Sequence, residues 1–119
     1  MTGLDNAVLG FQQAIDSPRR HRLWRWLVRQ RMAGVHDALA AVRAKDGEAW
    51  LAAKEESLQR ERSKLVTRLS VLGQRVNDQP DIDALDEDLH RFLTDLLRYR
   101  QRLHDLVYDS VSLELGGSE

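Results

Sequence analysis

IDALDEDLHRFLTDLLRYRQRLHDLVYDSVSL, residues 82–113, sets large apolar side chains at Ile82, Leu85, Leu89, Phe92, Leu96, Tyr99, Leu103, Leu106 and Leu113. The steps alternate between three and four, and only Ser110 interrupts the row. A strand would alternate every second residue. A mean step of about 3.5 instead keeps one stripe of a helix turned toward its neighbours. A second row (Leu93, Leu97, Val107, Val111) widens the apolar face, so this helix should touch more than one other. Its start is marked by Pro80 before Asp81. Asp83, Asp86, Glu87 and Asp88 then crowd the first turns, where negative charge complements the helix dipole. Gly116-Gly117 marks its end.

The same period extends outward from this segment. The spacing predicts a helix from Ser17 or Pro18 to Lys45, with Trp24, Val28, Met32, Val35, Leu39 and Val42 on its seam and Asp46-Gly47 as the turn after it. It predicts another from about Glu48 to Val76, carrying Trp50, Leu51, Leu58, Leu65, Leu69, Leu72 and Val76. Leu4, Val8, Phe11 and Ile15 predict a short amphipathic helix before the long ones. Tight connections make successive helices antiparallel. The expectation is therefore all-α: one domain over residues 1–119, an antiparallel bundle of three long helices with a short N-terminal helix. That short helix either lies on the bundle as a fourth element or packs on a second copy. A thin three-helix core also makes a homodimer an expected state.

The chain has 119 residues, 42% hydrophobic and 31% charged, so it can fill a core and still cover it. It has no Cys, which excludes disulfides and thiolate metal sites. No apolar run resembles a membrane span or a secretory signal, and a cytoplasmic location is the expectation. The net charge of −1 conceals a gradient. Residues 17–45 hold eight bases against the single acid Asp37, whereas residues 78–119 hold eleven acids against four bases. Segregation of this kind implies either mutual attraction inside the fold or a basic face for an acidic partner.

The most pointed feature is the basic run from Pro18 to Arg31. At about 100° per residue, Arg22, Trp26 and Arg29 share one helix face, with Arg19 and Arg25 at its edges. Trp24 belongs to the core seam, and Trp26 falls opposite it. An indole framed by guanidinium groups is a common anchor composition at protein interfaces. The expected partner is a protein or a second copy; nucleic acid is the alternative ligand of the same face, and no membrane is implied. The competing expectation is that the N-terminal segment folds back and covers Leu23 and Trp26.

A second candidate is a polar layer at mid-bundle. Counting heights from the two predicted turns brings His36, Glu56, Glu61, Arg100 and His104 together, which would suit a metal or acid–base chemistry. Glu87 and His90 also match the Glu-x-x-His spacing, but only once. The opening Ile82-Asp83-Ala84-Leu85-Asp86-Glu87 resembles the first helix of the all-helical chorismate mutases, yet Leu96 stands where that family has a catalytic arginine. No nucleophile elbow, glycine-rich phosphate loop or paired histidine spacing is present, so no catalytic residue and no cofactor are expected. Gly34 and Gly73, single glycines inside helices, are expected either where helices approach closely or as slight destabilisers. The reading is a non-enzymatic helical interaction module acting through Arg19, Arg22, Arg25, Trp26 and Arg29.

Overall fold

The computed structural model describes residues 2–19, 22–42 and 49–117, with side chains placed over 3–19, 22–42 and 54–108. These residues form α1 (Thr2–Asp16), α2 (Trp24–Ala41), α3 (Ala49–Asp78) and α4 (Ile82–Gly117), and no strand occurs among them. The Asp46-Gly47 turn and the side chains of Trp50, Leu51, Val111 and Leu113 lie outside the described residues.

The chain is all-α and its helices form a bundle. Each helix packs on its two sequence or ring neighbours: α1 on α2 and α4, and α3 on α2 and α4. Among the described residues the diagonal pairs, α1 with α3 and α2 with α4, bring no Cα atoms within 8 Å of each other. The longest dimension is 58 Å, close to the length of about 54 Å that the 36 residues of α4 require. The other two dimensions are 21 and 20 Å, two helix diameters across.

The seams read from the sequence are the core. Trp24, Val28, Met32, Val35 and Leu39 of α2 are buried, as are Leu58, Leu65, Leu69, Leu72 and Val76 of α3. From α4 come Leu85, Leu89, Phe92, Leu93, Leu96, Tyr99, Leu103 and Leu106. The N-terminal helix is a fourth member of the same core, with Leu4, Val8, Phe11 and Ile15 at 3% exposure or less. Phe11 meets Phe92 edge-on, with centroids 6.0 Å apart at 86°. The chain thus completes its own bundle, and α1 leaves Leu23 and Trp26 uncovered. Burying a side chain of this class is worth about 1.5–3 kcal/mol, and α1 has too few residues to hold a helical shape without that packing.

α2 is shorter than its sequence suggested. Ser17-Pro18 reads as a helix start, but the Ser17 hydroxyl and N–H both donate to the Ala14 carbonyl, at 2.6 and 3.2 Å, and close α1 instead. α2 begins at Trp24 with no side-chain cap and stops at Ala41. α4 starts as expected: the Asp81 carboxylate accepts from the Ala84 N–H at 3.1 Å, as an N-cap should.

Register between the long helices is set at their edges. Arg102 with Glu61 (2.8 Å), Arg68 with Asp95 (2.7 Å) and Arg75 with Asp88 form a ladder stepping by seven residues along α3 and α4. The α2–α3 pair is tied by two guanidinium groups. Arg25, in the first turn of α2, donates to the Val76 carbonyl in the last turn of α3 at 2.7 Å. Arg62 of α3 donates to the Leu39 carbonyl in the last turn of α2 at 3.3 Å. Arg25 thus satisfies a terminal carbonyl of α3, and Arg62 adds a second donor to the Leu39 carbonyl, which also accepts from the Val42 N–H at 3.2 Å.

Candidate interaction face

The five residues expected on the basic face divide into two groups. Arg19 bonds Asp83 at 2.7 Å and lies 3.7 Å from Asp86, tying the α1–α2 connection to the start of α4. Arg25 is committed to the Val76 carbonyl. Arg22, Trp26 and Arg29 stay together on the outside of α2. Trp26 is 59% exposed and Leu23 51%. Arg22 and Arg29 are exposed and make no hydrogen bond or ion pair with another described residue.

The placement follows from the helix period. Measured from Val28 in the core, Trp26 falls about 160° round the helix axis. The seam of α2 turns inward because Trp24, Val28, Met32, Val35 and Leu39 recur every three or four residues, and Trp26 is displaced from that row. Fold-level charge reinforces the exposure. The acids of α4 are answered by Arg19, Arg68 and Arg75. Because α2 and α4 are diagonal, Arg22 and Arg29 meet none of that negative charge.

The outer face of α2 carries a feature that a hydrophobicity reading passes over. Leu23, Trp26, Gln30, Ala33, Asp37 and Ala40 step by three, four, three, four and three, and all are exposed. Gly34 and Ala41 flank this row, also exposed. Beyond Gln30 no side chain on it is longer than Asp. The alternation was present in the sequence, but alanines and an aspartate give it no apolar weight. Of the two expectations for Gly34, a close approach between helices is not met. A Cβ built there meets nothing within 4 Å, so the notch at Gly34 opens to solvent. At Gly73 a Cβ would meet the Met32 Cε at 3.9 Å, an ordinary contact.

Of the expected polar layer only Arg100 and His104 come together, both beside Asp5 of α1, at 4.0 and 3.2 Å. Among the described residues no polar or charged side chain is buried, and no group of three or more His, Asp or Glu is placed to hold a metal. His36 is exposed, 3.5 Å from Asp37. Glu61 is held by Arg102, and His104 Nε2 lies 3.2 Å from Asp5 on α1. Glu56 is exposed on α3. The cause is register. Arg62 stands opposite Leu39 and Arg102 opposite Glu61, several residues from the pairings that counting from the turn signals implied. Glu87 pairs with Arg91 at 3.4 Å along its own helix rather than joining His90 in a site.

His90 instead joins α4 to α1. Its Nδ1 donates to the Asp86 carbonyl at 2.9 Å and its Nε2 approaches Asp16 at 3.1 Å. The bond to the Asp86 carbonyl raises its pKa above the ordinary 6.5, the Asp16 and Asp86 carboxylates add to this, and burial opposes it. Tyr99 is 1% exposed, and burial pushes its phenol up to about 12. No protein-family model, no curated protein and no solved structure matches this chain.

Proposed function

We propose that this chain is a non-enzymatic helical interaction module that binds a protein partner through the outer face of α2, with Trp26 as anchor and Arg22 and Arg29 beside it. One observation carries the reading: a Trp 59% exposed, although the helix that could have covered it is already committed to the core. Large aromatic and Arg side chains dominate the energetics of protein interfaces, and an indole left in water between two uncompensated guanidinium groups has that composition. Nucleic acid is less well supported as the ligand. With Arg19 and Arg25 engaged in the fold, two free guanidinium groups remain, and Asp37 on the same face would repel phosphate. No described helix is long and apolar enough to cross a membrane.

The test is direct binding. A partner recovered by photo-crosslinking beside Trp26 is identified, purified and titrated against the native chain and against the Trp26→Ala/Arg29→Ala double variant. The reading expects affinity to fall at least tenfold with the helical signal unchanged. Equal affinities would refute it.

A further inference from the structure

We infer that the occupant of this face is a second copy of the same chain, laid antiparallel so that α2 meets the partner's α2 across a two-fold axis level with Arg31 and Met32. The inference deepens the reading above and rests on it. The exposed row on α2 is palindromic in spacing: three, four, three, four, three. Inverting it about its centre therefore lays the row on itself, which is what a symmetric dimer demands of its contact surface. In that register Leu23 faces the partner's Ala40, Trp26 faces the partner's Asp37, and Gln30 faces the partner's Ala33.

Shape and charge both favour this pairing. The residues around Asp37 on its face are Ala33, Gly34, Ala40 and Ala41, all exposed. They make a shallow notch, open at Gly34, into which an indole from the facing helix can settle as a knob. Arg22 and Arg29 stand one turn either side of Trp26. The partner's Asp37 comes to rest between these two free guanidinium groups, and the symmetry axis repeats the arrangement at the other end. Asp37 is 86% exposed in its side chain, so it is available for this role. The only large residues of the row, Leu23 and Trp26, lie at one end, and the small residues lie at the other. A parallel pairing would therefore set indole against indole and Asp37 against Asp37. An antiparallel pairing sets large against small and positive against negative.

The area sets the strength. A strip about 27 Å long and about 10 Å wide covers on the order of 300 Å² per copy, well below the roughly 800 Å² per partner of a standard interface. Dissociation should accordingly fall in the micromolar range or weaker and rise with salt.

Sedimentation equilibrium of the full chain at low salt, from roughly 10 µM to 1 mM, tests the pairing. Two variants reverse the charges: Asp37→Arg in one, Arg22→Asp with Arg29→Asp in the other. Each should self-associate at least tenfold more weakly than the native chain, while an equimolar mixture of the two regains dimer, because opposite charges then meet at both ends. Gly34→Gln fills the notch and should also weaken the dimer at least tenfold. All four positions are exposed, and far-UV circular dichroism confirms that each variant is folded. A native chain monomeric at 1 mM overturns the inference, as does a mixture no more associated than its components or a Gly34→Gln dimer of native affinity. If self-association is absent but the Trp26→Ala/Arg29→Ala variant still loses a different protein partner, only the choice of occupant fails. If that variant changes neither, the binding face itself fails.

Discussion

Replacing Phe11 with Ala asks whether α1 belongs to the cooperative core. Phe11 is fully buried and meets Phe92 of α4 edge-on. A buried Phe truncated to Ala costs about 3–5 kcal/mol through lost burial and the cavity left behind. At roughly 2.1 cal/mol/K per residue, the 119 residues give an unfolding entropy of about 0.25 kcal/mol/K, so a loss of about 4 kcal/mol lowers Tm by about 16 °C. Phe92→Ala should cost at least as much, since the Arg68 guanidinium also lies over that ring, 5.3 Å from its centroid. The two losses should fall short of additivity by about 1 kcal/mol, the worth of the ring pair itself. Scanning calorimetry of both single variants and the double variant measures all three quantities. A drop under about 4 °C for Phe11→Ala, beside a full loss for Phe92→Ala, would refute the argument. It would mean that α1 docks on a bundle that folds without it.

Three further outcomes follow from named contacts. Arg25→Ala should cost about 1–2 kcal/mol in urea unfolding, because the Val76 carbonyl loses a charge-assisted bond. Arg19→Ala, whose ion pair with Asp83 is exposed, should cost under about 0.5 kcal/mol, and equal losses would count against the distinction. His90 has a folded pKa above 6.5, so its charged form stabilises the fold fully below pH 6.5 and loses that contribution as pH rises through the folded value. The stability gap between the native chain and His90→Gln should therefore shrink on going from acid to alkaline solution, and a gap that widened would contradict the assignment. Gly34→Ala should raise stability by about 0.5–1 kcal/mol, since its new methyl meets nothing within 4 Å; a loss would show that the site is not open.

What the sequence could disclose divides along physical lines. The seams were legible because burial demands apolar side chains at the helix period, and Val28, Leu69 and Leu96 carry that demand without any other cause. Trp26 was legible as a residue off its own seam. Whether α1 would cover it was not, because that depends on how α1 rotates to place Phe11 against Phe92. The start of α2 misled for a related reason: a Ser before a Pro suits a helix end as well as a helix beginning, and the Ala14 carbonyl decided between them. The supposed polar layer failed on register. A turn signal locates a connection only to within a few residues, and each residue of error carries about 1.5 Å of height into the pairing. The heptad ladder of Glu61, Arg68 and Arg75 against Arg102, Asp95 and Asp88 fixes that height, but its members are recognisable only once the two helices lie side by side.

The reciprocal bonds of Arg25 to Val76 and Arg62 to Leu39 join two helix ends that lie far apart along the bundle. Neither terminus can loosen without releasing a guanidinium group from the opposite rod. Amide hydrogens in the closing turns of α2 and α3 should consequently exchange with solvent at linked rates, and Arg62→Ala should speed exchange near Leu39 and, to a smaller degree, near Val76. A pair of long side chains thus converts two separate frayed tips into one zipper.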